Sequence, residues 1–314
     1  MKNLLFIALL LTSTQTIGAT LEEAINHYEY MQDDKALSIL KGINTAESAA
    51  YQTKILMERD LDDAEEFIEQ AIESFPDSAE LQFLRGRVMG QQAGNAIFSA
   101  LSYAEKSQQS FAKAVEMAPD NVEYNMGLMM FHLNAPSIAG GDIKIAKSQA
   151  EKIYKLDKER GLLAQLRLIR VSDSDNKEEQ LLTLVNANPE TARLQFELAQ
   201  WFQREEKYQE TFPRYELALQ TLAEDDAEQR CAIWYQYGKT AGLADKNHQQ
   251  GINHLDSYLS QCAVTRGMPS KEWATFRRAN VIEHQNKPEA ISIYRSLKST
   301  SDKDLKKALK KKRV

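Results

Sequence analysis

The sequence has 314 residues, of which 43% are hydrophobic and 27% are charged, and its formal net charge is −6. An acidic chain disfavours a role in nucleic-acid binding, because neutralising phosphates needs a basic stripe. The charge is also uneven: the tail from Asp302 to Val314 carries seven basic residues against two acidic ones. The more acidic body favours a basic partner or simply high solubility.

The first residues have the parts of a secretory signal peptide. Lys2 precedes an apolar run from Leu4 to Leu11, and the small residues Gly18 and Ala19 follow a polar stretch. The run is shorter than the roughly 20 apolar residues that span a bilayer, and no cysteine follows the expected cleavage site. We therefore expect residues 1–19 to be a signal peptide without a lipid anchor and the mature protein to be soluble in an exported compartment, most simply a bacterial periplasm. The alternative is a buried first helix.

A spacing of small, large and small residues followed by proline recurs along the chain. Ala64, Ile68, Ala71 and Pro76 show it in full. Parts of it recur in Phe111, Ala114 and Pro119, in Leu181, Leu184 and Pro189, and in Thr211, Tyr215 and Ala218. Such spacing indicates one helical hairpin copied many times. It predicts helix pairs near residues 21–43, 46–75, 79–118, 121–157, 159–187, 192–222, 228–262 and 271–299, in one continuous array over residues 20–300.

Two stretches resemble the tetratricopeptide repeat, a helix–turn–helix unit of about 34 residues. The residues that carry the match are Leu198, Ala199, Phe202, Thr211, Tyr215 and Ala218, and then Trp234, Tyr237, Gly238 and Ala241. The resemblance implies an all-α, right-handed superhelical solenoid of about eight repeats, whose inner wall comes from the first helix of each pair.

Two neighbouring repeats depart from the pattern by insertions inside the hairpin. The first insertion lies near residues 90–101 and the second near residues 135–142. Both strings are similar to those of a group of exported bacterial tetratricopeptide proteins without an assigned activity. The apolar first insertion predicts either an extra helical turn packed on its own repeat or a lip over a binding groove. In the second, Pro136 and Gly140 predict a bent turn before Asp142 caps the next helix, a place that could also receive an anion.

The resemblance also indicates which side chains face the inner wall. The predicted partner-binding positions are Phe83, Arg87, Tyr124, Leu128, Phe196, Gln200, Tyr235 and Lys239. An aromatic residue beside a polar or cationic one suits a peptide or helix laid in a groove. The alternative is that the aromatic residues pack between repeats. His132, near the second insertion, is a possible ligand contact.

Cys231 and Cys262 stand at the start and the end of one predicted hairpin, where antiparallel helices bring their ends together. In an oxidising compartment this pair is expected to form a disulfide, and the alternative is two inert buried thiols. The basic tail, residues 301–314, is amphipathic. It predicts a helix that caps the last repeat, or else a weak contact with anionic lipid.

No local motif indicates catalysis or a cofactor. The five histidines do not form a metal-ligand pair at helical spacing, and no nucleotide or nucleophile motif is present. The favoured function is a non-enzymatic periplasmic scaffold that binds a peptide or helix of another envelope protein. The alternative is a small-molecule-binding component of an envelope transport system, and an enzyme has no support beyond the fact that assembled sites can lack motifs.

Overall fold

The computed structural model describes residues 20–312, and the regular structure of these residues is helical. The predicted signal peptide and the last two residues lie outside this range. The helices are α1 (20–29), α2 (Asp33–Leu40), α3 (Ala46–Arg59), α4 (Leu61–Ser74), α5 (Ala79–Asn95), α6 (Ala100–Met117), α7 (Val122–Asn134), α8 (Ile143–Leu156), α9 (Lys158–Val171), α10 (Lys177–Asn186), α11 (Ala192–Arg204), α12 (Tyr208–Thr221), α13 (Ala227–Ala244), α14 (His248–Gln261), α15 (Lys271–Glu283), α16 (Lys287–Ser296) and α17 (Lys303–Lys311). The predicted pair boundaries lie within three residues of these helices.

The chain divides between Asp173 and Ser174 into two compact units, called unit 1 and unit 2 here. The division falls between α9 and α10, which the sequence predicts as the two helices of one pair. The single continuous array stays a prediction, and each unit is described by itself.

Unit 1 is a stack of helical hairpins. Helix α3 packs on α4, α5 on α6 and α7 on α8, and the first helices of neighbouring hairpins also contact each other. Short polar side chains start these helices: Asp60 accepts hydrogen bonds from the backbone N–H groups of Asp62 and Asp63, and Asn121 accepts one from Tyr124. The small and large residues that carry the repeat spacing are buried, among them Ala64, Ile68 and Ala71. The spacing therefore correctly predicts the packed face.

Unit 2 repeats this arrangement with a more aromatic core. Helix α11 packs on α12, α13 on α14 and α15 on α16. Tyr215, Tyr237 and Tyr258 are fully buried in one cluster, together with small residues such as Ala199, Ala218 and Ala241. Gly238 shows how close the two helices come, since a Cβ atom there would lie 2.3 Å from Leu255 Cγ. Any larger residue at position 238 would push α13 and α14 apart.

A disulfide joins Cys231 at the start of α13 to Cys262 just after α14, with their Cα atoms 6.0 Å apart. Both cysteines are buried in the aromatic core of unit 2. The bond ties the open end of this hairpin, opposite its connecting turn.

The basic tail forms α17, which packs on the end of unit 2. Asp302 caps it by accepting from the backbone N–H groups of Asp304 and Leu305. Leu305 and Leu309 are buried in a cluster with residues of α15 and α16. Because its apolar side is already covered, this packing favours the capping alternative over the lipid contact.

Candidate functional site

The aromatic positions predicted to line a groove are mostly in the core. Phe83, Phe196 and Tyr235 are each less than a tenth exposed. The Phe83 ring lies 5.6 Å from the Phe111 ring and 5.0 Å from the Tyr124 ring, which is half-buried. Burial therefore favours the packing alternative at these positions, because a ring held by its neighbours has little surface left for a partner.

The remaining predicted positions have different surroundings. Leu128 is buried beside Phe83, and Gln200 is half-buried on α11. Lys239 is half-buried on α13, where burial and then the nearby Arg277 and Arg204 lower the pKa of its ammonium group. Of the nine predicted positions, His132 included, only Arg87 is exposed.

His132 holds the second insertion in place. It is buried, and its Nδ1 lies 3.0 Å from the carbonyl oxygen of Gly140, to which it donates. The backbone N–H of Asp142 donates in turn to the carbonyl of His132. The ring thus fastens the loop to α7, and a ligand-contacting role for it stays a prediction.

A large cavity of about 1110 Å³ opens in unit 1, and both insertions line it. Its walls come from α5, α6, α7, the loop after α7 and the first turn of α9. The lining residues are Phe83, Gly86, Arg87, Gly90, Gln91, Ala93, Gly94, Ala100, Leu101, Ala104, Ser107, Phe111, Asn121, Val122, Glu123, Met126, Gly127, Met130, Phe131, Asn134, Ala135, Pro136, Ile138, Ala139, Asp157 and Arg160. The two departures from the repeat pattern thus meet at one place.

The first insertion makes one side of this cavity by lengthening its hairpin. Helix α5 runs on to Asn95 and α6 starts at Ala100, so both extend beyond a regular repeat. Gly86, Gly90 and Gly94 follow each other at four-residue intervals along α5, and all three line the cavity. Residues four apart lie on one face of a helix. A Cβ atom at Gly94 would have no neighbour within 4 Å, whereas one at Gly86 would lie 2.8 Å from the Phe111 ring. This spacing is the sequence signal that could have located the cavity.

The second insertion lines the cavity as a fixed turn. Gly140 has a φ of +90°, which glycine adopts without strain. A Cβ atom on Gly141 would lie 1.8 Å from the carbonyl oxygen of Ala135, so the loop closes tightly on itself. Asp142 caps α8 by accepting from the N–H groups of Lys144 and Ile145. Its carboxylate therefore occupies the helix start that an anion would need.

Large apolar side chains stand exposed around the cavity. Leu101 and Ile138, which line it from the first and the second insertion, are 51% and 80% exposed. Ile97 and Phe98, in the turn just before α6, are 85% and 100% exposed. Exposed apolar groups that cluster at a concave surface mark an interaction site more often than a solvated loop.

Two arginines border the cavity without a charged partner. Arg87 and Arg160 form no ion pair within residues 20–312. Asp157, beside them, accepts from the backbone N–H of Arg160 and so caps α9. The cavity thus combines an apolar wall with two arginines and two acidic residues, Glu123 and Asp157.

Unit 2 has a smaller, more polar cavity of about 510 Å³, bordered by α13, α15 and α17. Lys239, Arg277, Lys307 and Lys311 line it, together with the acidic Glu283 and Asp304. Lys239, a predicted contact residue, therefore lies at a polar cavity of its own.

The structure also brings together three residues that local spacing does not connect. Asp245, His248 and His284 offer ligand atoms that all lie within 4.8 Å of one another. The sequence analysis considered histidine spacing along one helix only, whereas the fold places the end of α15 beside the turn between α13 and α14.

None of the described helices is both long enough and apolar enough to cross a membrane. No protein-family profile matches the chain, and no curated protein sequence matches it significantly.

Three solved structures illustrate what the chain is similar to. A tetratricopeptide repeat protein from Parabacteroides merdae is 14% identical, with a TM-score of 0.45 over 85% of this chain and 99% of its own. The structure of the Cut9–Hcn1 hetero-tetramer of the APC/C matches with 14% identity and a TM-score of 0.45, over 94% of this chain and 55% of the other. PilW, described as a type IV pilus biogenesis factor, is 12% identical with a TM-score of 0.41, over 85% of this chain and 99% of its own.

These scores carry no information on function. The architecture follows from the chain's own packing: helices pair in antiparallel hairpins, and hairpins stack through their first helices within each unit. In each of the two units, the described residues form an all-helical stack of hairpins that are similar to tetratricopeptide repeats.

Proposed function

We propose that the protein is a non-enzymatic scaffold that docks an apolar segment of a partner protein in the unit 1 cavity. The observation that carries this proposal is the meeting of both insertions at one cavity whose borders expose Leu101 and Ile138. Insertions that served only to pack their own repeats would bury such side chains, since each exposed one forgoes about 1.5–3 kcal/mol of hydrophobic stabilisation.

The exposed borders of the cavity favour a protein segment as the occupant. Small-molecule sites enclose most of their ligand, whereas the apolar borders of this cavity of about 1110 Å³ face solvent. An amphipathic peptide or helix would cover these borders with its apolar face. Arg87 and Arg160 offer hydrogen-bond donors to polar or acidic groups beside that face. The alternative occupant is a metabolite of a transport system.

We also propose that the protein acts in the periplasm. The charged start and apolar run before residue 20 are typical of an exported protein. The Cys231–Cys262 disulfide supports the same location, because such bonds persist in oxidising compartments.

The test is site-specific photo-crosslinking in the native cell envelope. A photoreactive phenylalanine analogue replaces Leu101 of the first insertion in one variant and Ile138 of the second insertion in another. The matched control carries the analogue at Leu243 in unit 2, which is 52% exposed. We expect one partner segment to be linked from both cavity positions and not from Leu243.

A synthetic peptide of that segment is then titrated against purified protein. We expect Ile138→Ser and Arg87→Ala to weaken its binding. Three outcomes would each contradict the proposed docking. The two cavity positions would be linked to unrelated proteins, the partner would be captured equally from Leu243, or the peptide affinity would be unchanged in both variants. A crosslinked metabolite in place of a protein would support the transport alternative.

A further inference from the structure

Three side chains from separate helices converge at one corner of unit 2. Asp245 is the residue after α13, His248 is the first residue of α14, and His284 is the residue after α15. Their convergence depends on the fold, because His284 is far from the other two in sequence. All three lie in unit 2, so a site that they form is independent of the docking function proposed for the unit 1 cavity.

The imidazole nitrogens of both histidines face the same carboxylate oxygen. His248 Nε2 lies 2.8 Å from Asp245 Oδ1, and His284 Nδ1 lies 2.9 Å from the same atom. The two rings are nearly parallel, with their centroids 5.5 Å apart. Two nitrogen donors and one oxygen donor are thus aimed at one point rather than spread over the surface.

The second nitrogen of each ring has a partner of the kind that metal-binding histidines have. His284 Nε2 lies 2.9 Å from the carbonyl oxygen of Gly242. A carbonyl only accepts, so Nε2 donates to it, and Nδ1 is the nitrogen left to bind an ion once the proton between it and Asp245 is displaced. Ligating histidines almost always donate their other N–H to such an oxygen, which fixes the tautomer and the ring orientation.

His248 has a partner in Gln285 that can serve the same purpose. Its Nδ1 lies 3.1 Å from Nε2 of this residue, and this amide nitrogen is a donor. The amide oxygen and nitrogen exchange places by a half-turn of the group. With the oxygen turned inward, it accepts the proton of Nδ1, and the lone pair of Nε2 then faces Asp245.

We propose that Asp245, His248 and His284 bind a Zn²⁺ ion. Two imidazoles and one carboxylate form a donor set that suits zinc, and three protein ligands leave a fourth position for water or for a group of another molecule. In a tetrahedral zinc site with bonds of about 2.0–2.1 Å, neighbouring ligand atoms are about 3.3 Å apart. The two contacts to Asp245 Oδ1 need to open by about half an ångström, and the two imidazole nitrogens, which lie within 4.8 Å of each other, need to take up the same spacing.

The backbone at Asp245 has a left-handed conformation. It has a φ of +53°, and Asn247, two residues later, has a φ of +51°. The left-handed region is uncommon outside glycine, but aspartate and asparagine adopt it more readily than other residues. The carboxylate is 63% exposed, whereas the two imidazoles are 21% and 31% exposed. An ion can therefore approach from the solvent side of Asp245 and bind imidazole rings that other residues already hold in place.

The test is a calorimetric titration of the untagged, chelator-treated full-length protein with zinc sulfate. We expect one ion per chain. Asp245→Asn and His284→Ala should each lower the affinity at least about tenfold, since loss of an outer partner alone costs 10–100-fold. Asp245→Asn is the conservative variant, because asparagine also tolerates the left-handed backbone and only the charge is removed. Magnesium chloride should not bind, because this ion prefers an all-oxygen site.

The matched control is His27→Ala. His27 Nε2 lies 3.8 Å from Glu23 Oε1, which makes an isolated histidine–carboxylate pair without a third ligand. Its loss should leave zinc binding unchanged. Cobalt(II) provides a second readout, because wild-type protein should give the strong visible absorption of a four-coordinate ion and Asp245→Asn should lose it.

Absence of zinc binding by the wild type, or equal affinity in wild type and Asp245→Asn, would overturn the proposal. If circular dichroism shows that His284→Ala does not fold, Asp245→Asn decides the result. Loss of binding in His27→Ala to the same extent would also overturn it, because it would assign the affinity to scattered surface histidines.

Discussion

Removal of the Cys231–Cys262 disulfide is expected to destabilise unit 2 by several kcal/mol. The bond joins residues 31 apart in sequence. In the chain-entropy relation, a loop of this length constrains the unfolded chain by about 3.7 kcal/mol at 25 °C. Both cysteines are buried in the aromatic core, so the double variant Cys231→Ala/Cys262→Ala leaves no unsatisfied polar group behind.

The assay is urea denaturation followed by tryptophan fluorescence. All three tryptophans of the chain, Trp201, Trp234 and Trp273, are in unit 2, so their emission reports on that unit. With a urea dependence of about 2 kcal/mol per M, the midpoint should fall by roughly 2 M in the variant. Reducing agent should produce a similar fall in the wild type and none in the variant.

Superimposed transitions for oxidised and reduced wild type would refute this reasoning. They would mean that the unfolded chain is already compact around residues 231–262 or that the bond is absent in the purified protein. A thiol assay on denatured, non-reduced protein separates these cases, since two reactive groups would show that the disulfide does not form.

Three further outcomes are expected. Ile138→Ser should change the free energy of unfolding by no more than about 0.5 kcal/mol in a circular dichroism melt, because the side chain is exposed, yet weaken partner peptide binding about tenfold. Asp302→Ala should destabilise unit 2 by about 1–2 kcal/mol in urea, since it removes the cap of α17 and the acceptor of Trp273 Nε1, 2.8 Å away. Burial lowers the pKa of His254 below its ordinary value of 6.5. The stability of unit 2 should therefore be complete above that pH and decline as the pH falls below it. His254→Phe, which keeps a ring against Tyr237, should show a shallower decline; an equally steep one would contradict the assignment.

The repeat spacing was sufficient to predict the helices and their buried faces. Ala64, Ile68 and Ala71, for example, are packed as their spacing indicates, because residues three and four apart share one side of a helix. The same argument could not separate groove from core at Phe83 or Tyr235. Both alternatives place an aromatic residue on the same helix face, and only the distance to the next helix decides between them.

The sequence by itself determined that this protein is a series of helical hairpins interrupted in two neighbouring repeats, since local spacing carries that information. Tertiary structure alone decided that the two interruptions enclose one cavity, and that Asp245 and His248 meet His284. The physical reason is the same in both cases. These sites are made of side chains from different helices, whose meeting depends on the angles and separations at which the helices pack, and spacing along one helix does not encode those quantities.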